Sequence, residues 1–545
     1  MRAACAVVFA GLVAVLAGAA PRFFPDDPLW SDDDAAFDAS KVTEQADSNG
    51  YDFITHTFLK PGERRDVRAM NLNTLDEVPD SSWFTNRIGR GDIPLADLVR
   101  GPDRGPTTIS LDGWVVAGGK GSGIQPGFRM TDPSGQLYQI EVDPPQHPEM
   151  ASGAEVIGTA FFHAFGFHTV DVYLAELDAN ALKIAPTATI RDAFTGKRRP
   201  LAQHDLDDVF DRAARHDNGK YRVLVSRFAA GKPLGNFRYY GTRPDDPNDI
   251  VPHEHRRELR GARVLAAWLN HDDSRGVNSL DMLETRDGRG YIKHYMFDFG
   301  SILGSGTVFA QRQRAGHEYI FEHSPGWRTL ATLGLHVRPW MKIDYPDVPP
   351  AVGRFESDAF DPTRWKPEYP NPAFDNLRPD DAFWAARIVA RFSDAAVRAL
   401  VEKAHYSDPR ATDYLTEALL KRRQKVLATW LNGVNPVVDL ALSSTGELTF
   451  GNAAVAAGVA DAATGYTLQW FRFDNDSDTR INVAEADRVT ALRAVAPASL
   501  LAAGSEYIGV EIISTHLLYA SWTKPAVFYF RRAATGWIWV GAERR

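Results

Sequence analysis

The sequence of 545 residues holds one cysteine, Cys5, and that residue lies in an apolar leader. The rest of the chain can therefore build neither a disulfide framework nor a cysteine metal centre. Positive charge is also scarce. Lys and Arg number 61 against 70 Asp and Glu, a net charge of -9 at pH 7, and no Lys/Arg run offsets it. That balance argues against nonspecific nucleic-acid binding. Beyond the leader there is no long hydrophobic run, no repeat and no low-complexity tract. What remains, 44% hydrophobic and 24% charged residues, is the composition of a folded globular protein. The length leaves room for about two to four domains and a large core.

The leader has Arg2 as its whole positive region, an apolar stretch over residues 3–17, and the small residues Ala17-Gly18-Ala19 as a cleavage site. It is short for a membrane span and is followed at once by Pro21, Asp26 and Asp27. Residues 1–19 thus read as a secretory signal, with an uncleaved anchor as the alternative. No cysteine follows Ala17-Gly18 to carry a lipid. The expected product is exported, periplasmic or extracellular, and not stably inserted in a membrane.

Chemistry concentrates in residues 266–305. An apolar helix end delivers His271-Asp272-Asp273, Asn278 follows five residues after Asp273, and two apolar runs flank the turn Arg286-Asp287-Gly288. The second run ends in Asp298-Phe299-Gly300. The alternative reading is an acidic surface loop followed by an Asp-Gly turn. The order H-x-D-x4-N, hairpin, D-F-G resembles the phosphoryl-transfer site of the protein-kinase-like superfamily. The resemblance implies that Asp273 orients the substrate hydroxyl, while Asn278 and Asp298 hold Mg²⁺ beside bound ATP. Hard oxygen donors suit magnesium, and a carboxylate suits proton acceptance.

Upstream, residues 108–117 read as a strand leading into Gly118-Gly119-Lys120-Gly121-Ser122-Gly123. A second strand covers residues 125–130, Asp132-Pro133-Ser134-Gly135 makes a hairpin turn, and a third strand covers residues 137–142. Its alternation puts Tyr138, Ile140 and Val142 on one face and Gln139 and Glu141 on the other. A helix over residues 149–165 then stops at Gly166. This order is similar to a kinase small lobe, in which Gly119, Gly121 and Gly123 would approach nucleotide phosphates. Such kinases carry a lysine on the third strand, paired with a helix glutamate. Glu155 can be that glutamate, but the strand offers only Gln139 and Glu141. Two readings remain open. Lys120 reaches in from the glycine loop, as in the with-no-lysine kinases, or the protein is a pseudokinase.

The fold class expected is α+β: a two-lobed protein-kinase-like fold followed by a β-sandwich-like domain. Residues 20–106 form an extension packed on the body through Trp83-Phe84, residues 107–228 the small lobe and residues 229–431 the helical large lobe. Residues 229–235 take the place of the hinge. The Pro/Asp cluster over residues 243–249 and the basic stretch 421–425 read as solvated. A large lobe with no A-P-E motif is more similar to HipA-like and CotH-like kinases than to ordinary ones. Residues 436–545, beyond an Asn/Gly/Pro linker, show short alternating strands. Trp470, Phe471, Tyr519, Trp522 and Trp537 there are either core or sugar-stacking residues. The stretches at residues 76–84 and 256–261 also resemble exported bacterial proteins of unknown function, a likeness that supplies no activity. The expected partners are a nucleotide and a protein or small-molecule acceptor. An envelope scaffold acting through the β module is the alternative.

Protein recovered from a cell envelope should begin near Ala20, as read by N-terminal sequencing. A chain still starting at Met1 in a membrane fraction would identify the leader as an anchor.

Overall fold

The structure, a computed structural model, describes residues 20–45, 48–104, 109–121, 123–192, 195–286, 289–502 and 504–544. The signal segment with Cys5, the first residues of the expected small lobe, Ser122 of the glycine loop and the Asp287-Gly288 turn lie outside the described residues. The fold is mixed α+β with several sheets. Among the described residues no helix is long and apolar enough to cross a membrane.

Among the described residues the N-terminal stretch carries two short α-helices, α1 (Asn49–Ile54), which runs on into a π-helical turn (Thr55–Leu59), and α2 (Leu95–Arg100). Its hold on the body comes from aromatics. Trp83 is buried and stacks on His294 with ring centroids 3.5 Å apart, while the Arg256 guanidinium lies 4.6 Å from its ring centroid. Phe84 is fully buried between Phe165, Phe167 and Trp384. Further back, Phe23 packs against Phe473 and Tyr529 near the C-terminus.

A seven-stranded sheet follows. Its strands are β1 (Val115–Gly119), β2 (Gly127–Thr131), β3 (Leu137–Val142), β4 (Val172–Leu177), β5 (Ile184–Arg191), β6 (Arg198–Pro200) and β7 (Tyr221–Arg227), in the spatial order β4-β7-β3-β2-β1-β5-β6. All pairings are antiparallel except β1 with β5. Helix α3 (Met150–Phe165) lies between β3 and β4 in the chain, and α4 (Gln203–Phe210) between β6 and β7. Alternation divides the sheet as expected. Tyr138, Ile140 and Val142 share a core with Leu206, Val209 and Phe210 of α4. On the other face Val172, Leu174 and Leu224 join the core that contains α3. Helix α3 is buried on nearly every side, so it is central rather than amphipathic. The first strand is shorter than expected: Gly113, at φ +78°, turns the chain, and pairing starts only at Val115.

The chain then crosses by β8 (Lys232–Pro233) to a second sheet, where β8 pairs with β9 (Ser279–Arg286) and β9 with β10 (Arg289–Met296). Between β8 and β9 runs α5 (Arg257–Leu269), ended by Asn270 in the left-handed region at φ 54°. Helices α6 (His323–Ala331), α7 (Pro372–Asp375), α8 (Pro379–Ala390), α9 (Asp394–Glu402) and α10 (Pro409–Trp430) complete this half. Ser393 and Asp408 cap α9 and α10 through side-chain oxygens that accept backbone N–H groups, as their sequence positions predict.

Each of two stretches expected in solvent turns charged side chains inward, while Lys421, Gln424, Pro244 and Pro247 stay exposed. Arg422 of α10 is buried and donates to the carbonyls of Ala267, Trp268 and Glu356 at 2.6, 2.9 and 2.7 Å. It thereby satisfies carbonyls that the last turn of α5 leaves open. In the Pro/Asp cluster, Asp249 is buried against His253 at 2.7 Å and Arg256 at 3.2 Å, and Arg243 pairs with Asp281 at 3.1 Å. Neither stretch reveals this alone, because the partners lie far away or on another element.

Beyond α10, strands β11 (Val437–Leu442), β12 (Glu447–Asn452), β13 (Gly465–Asp474), β14 (Thr479–Asn482), β15 (Asp487–Val489), β16 (Arg493–Val495), β17 (Tyr507–Thr515), β18 (Ala526–Ala533) and β19 (Gly536–Arg544) form two sheets. One core, including Leu448, Leu468, Val510 and Phe528, draws on both. Trp470, Phe471 and Trp522 are buried, which removes them as sugar-stacking platforms.

The N-terminal stretch is tied to the helical half through Arg257 at the start of α5. Its guanidinium bonds Asp76 at 2.8 Å, Asp380 at 2.8 Å and Asp381 at 2.9 Å. Arg257→Ala should cost about 3–5 kcal/mol in urea unfolding, because it strands buried carboxylates. Arg64→Ala, at a partly exposed pair with Asp375, should change stability by less than about 1 kcal/mol.

Candidate functional site

The loop after α5 is held by its own polar groups. Asn278 Nδ2 donates to the backbone oxygen of Asp273 at 2.9 Å and to its Oδ2 at 2.8 Å. The Asn278 carbonyl in turn accepts the N–H of Phe297 at 3.2 Å. One asparagine thus links Asp273 to the segment entering Asp298, where β10 ends. Asp273 forms an ion pair with Arg275, and Arg275 also reaches Glu368 at 3.1 Å. Asp272 turns away and accepts from Gln311 at 2.7 Å.

His271 is a packing residue. Its ring lies 5.7 Å from that of Phe162 and 5.6 Å from that of Phe299. Burial, assisted by Arg275, pushes its pKa down to about 3, so it is neutral at physiological pH. Phe299 is pressed so closely on α3 that a Cβ at Gly158 would come within 2.5 Å of the Phe299 Cβ. Glycine is required there by approach, not by a turn.

From the small-sheet side, Glu155 of α3 is buried and accepts the backbone N–H groups of Phe299 and Gly300. A Cβ at Gly300 would lie 3.7 Å from Glu155 Oε2 and 3.9 Å from Asp298 Oδ1, so the two carboxylates flank one glycine. Glu141, on β3, pairs with Lys120, whose Nζ also donates to the Gln125 carbonyl at 3.0 Å. Lys120 therefore points from the glycine loop toward the strand. Asp298 stands at φ +65°, in the left-handed region, and its side chain keeps access to solvent.

The structure thus brings Lys120, Glu141, Glu155, Asp273, Asn278 and Asp298 into one neighbourhood, from the glycine loop, β3, α3 and the 271–298 stretch. Gly119 does not join it as a loop residue. It ends β1, and its Cβ would lie 2.4 Å from Ile190 Cγ1, so packing against β5 explains the glycine. Gly121 and Gly123 remain in the loop, with Gly123 at φ +92° above the Lys120 side chain.

Charge is unbalanced here. Among the described residues Lys120 pairs with Glu141 and Arg275 with Asp273, and Arg129 Nη2 stands beside Gly121, so the carboxylates Glu141, Glu155, Asp273 and Asp298 still outnumber the cations. Burial and the repulsion of Asp298 and Glu141 raise the Glu155 pKa well above the ordinary carboxylate range. Asp298 stands at an exposed position, yet the protein atoms packed around its carboxyl, and Glu141, raise its pKa against the pull of Lys120 and Arg275. Asp273 is pushed up to about 7, chiefly by burial and by Asp298 and Glu368, with Arg275 opposing. Such a cluster attracts cations. Among the described residues no three His, Asp or Glu side chains form a closed metal cage. Mg²⁺ does not need one, since it takes one or two carboxylates and completes its shell with water and phosphate oxygens. Asn278 and Asp298 fit that limited role. Arg275 and Glu368 were not legible as site residues: Arg275 is two positions from Asp273 but looks like any loop arginine, and Glu368 is remote in sequence.

No protein-family model, curated protein or solved structure matches this chain.

The raised Asp273 pKa fixes a sign. The folded protein holds this proton more tightly than the unfolded chain, whose aspartate titrates near ~4. Between that value and about 7 the folded state carries the extra proton, so this group's stability contribution is present at low pH and is lost as pH rises. Wild-type protein should therefore lose stability relative to Asp273→Asn from pH 4 to pH 7. Denaturant midpoints of both proteins across that range measure the difference, and subtraction removes the opposite trend of the buried histidines.

Proposed function

We propose that the protein is an exported, atypical protein-kinase-like phosphotransferase that uses a nucleotide and Mg²⁺ on a protein or small-molecule hydroxyl. One observation carries the reading: Glu141, Glu155 and Asp273, from separate stretches, converge on Asp298, and among the described residues these four carboxylates outnumber their partners Lys120 and Arg275 and the Arg129 guanidinium beside the glycine loop. The strand path supports it. Within the seven-stranded sheet the run β1-β2-β3-β7-β4, with α3 between β3 and β4, follows the order expected of a kinase small lobe, and β5, α4 and β6 are an insertion at its β1 edge.

In this reading Asp273, with a pKa near 7, accepts the hydroxyl proton of the acceptor, and Asn278 and Arg275 hold its carboxylate in place. Asn278 and Asp298 would hold Mg²⁺, which when bound neutralises developing phosphate charge. Glu155 fixes the backbone at Phe299-Gly300 and so sets the direction of Asp298. Lys120 cancels Glu141, which otherwise repels a phosphate by about 4 kcal/mol per charge pair at ~4 Å and an effective dielectric of ~20.

The Lys120–Glu141 pair also favours a second reading. An ammonium already engaged by Glu141 and the Gln125 carbonyl is less free for phosphate, as in a pseudokinase that serves as an envelope scaffold with the β module as its binding unit.

Thermal shift with ATP and Mg²⁺ separates the readings. A competent site at a hundredfold excess of nucleotide over Kd gains about 2.7 kcal/mol. Asp298→Ala should abolish that gain and any phosphoryl transfer, and Lys120→Ala should weaken nucleotide binding. No shift in wild-type protein, with no transfer to added acceptors, would refute the phosphotransferase.

A further inference from the structure

A second polar cavity lies away from this cluster, where the end of α3, the segment entering β4, the end of β7 and β10 meet. Its volume is about 170 Å³, and none of Lys120, Glu141, Glu155, Asp273, Asn278 or Asp298 lines it. Four cationic side chains do: Arg87, Arg104, Arg227 and Lys293, with Asp171 as the one carboxylate in the lining. Asp171 is shared, its Oδ2 lying 3.6 Å from both Arg104 and Arg227 without forming a hydrogen bond.

The remaining donors are poorly matched. Arg87 donates to the carbonyls of His163 and Phe167 at 2.7 and 3.0 Å, which leaves its charge uncancelled within the cavity. Lys293 makes no hydrogen bond or ion pair among the described residues and lies 5.4 Å from the Tyr295 ring centroid. Thr169, a lining residue only 6% exposed, has a hydroxyl with no hydrogen-bond partner among the described residues, and the same holds for His163 Nδ1. A half-open pocket of cations and unpartnered donors with so little negative charge is the inverse of the acidic cluster. Oxyanions satisfy such groups, because each oxygen accepts several charge-assisted bonds.

We propose that this cavity binds a small phosphate-class oxyanion, either free phosphate or the head of a small phosphomonoester. The guanidiniums of Arg104 and Arg227 and the Lys293 ammonium carry the charge recognition, and Thr169 supplies a neutral contact. Burial lowers the Lys293 pKa; Glu284 beneath the pocket opposes this, and Arg87 and Arg104 add to it by a repulsion that a bound anion relieves. The proposal does not rest on phosphotransfer at the other site.

Calorimetric titration with inorganic phosphate, and separately with glycerol phosphate, at constant ionic strength tests it. Saturable binding of either is expected, weakened at least tenfold in Lys293→Met and in the surface variant Arg104→Gln. Asp171→Asn, which removes the competing carboxylate, should tighten it. Asp298→Ala should leave it unchanged, which separates this cavity from the acidic cleft. Binding of phosphate alone would identify the free ion, and binding of the ester as well would identify a phosphorylated metabolite. Absence of saturable binding, equal affinity in all variants, or loss only in Asp298→Ala would overturn the assignment.

Discussion

The buried guanidinium of Arg257 is the constraint on which the arrangement depends. It joins Asp76 of the N-terminal stretch, α5, and Asp380 and Asp381 of α8. Asp381 also receives Arg260 at 3.1 Å, while Asp76 takes Arg68 at 2.6 Å and Arg544 of β19 at 3.4 Å. Burial alone would raise the Asp76 pKa, but Arg257, Arg68 and Arg544 hold it down to about 2. Removing charges from water costs several kcal/mol per ion, so such a network persists only where every partner is in position. The observed docking of extension, helices and C-terminal strand satisfies all of them. The same helix that is locked at Arg257 ends two residues before His271, so the clamp sets where Asp273 stands.

The three charge clusters differ in balance, and the difference sorts their roles. Around Arg257 opposite charges are matched at short distance, and the cluster acts as structure. Around Asp298 carboxylates outnumber cations, and near Lys293 cations outnumber carboxylates. Unmatched charge in a folded chain lowers stability, and perturbed groups of this kind collect where a ligand completes the balance. The closeness of Phe299 to Gly158 and the two N–H groups held by Glu155 fasten the Phe299-Gly300 backbone to α3 despite that repulsion.

Much of this protein was readable without coordinates. Alternation over residues 137–142 gave the faces of β3, the cap residues Ser393 and Asp408 gave the starts of α9 and α10, and the spacing of Asp273, Asn278 and Asp298 marked the acidic cleft. These are local signals: period, capping chemistry, and ligand types a few residues apart. The tertiary structure decided what depends on distant partners. Arg422 reads as surface charge until the carbonyls at the end of α5 are found beneath it, and Asp249 as loop until His253 and Arg256 enclose it. Gly119 looks like a phosphate-loop glycine until Ile190 of β5 is seen against it. Lys120 could be placed by chain order alone, but its pairing with Glu141, and hence the charge available to a phosphate, exists only once β1 and β3 are brought together. A sequence states which charges a chain carries. Only packing decides which of them are left unpaired, because pairing is set by three-dimensional distance and burial.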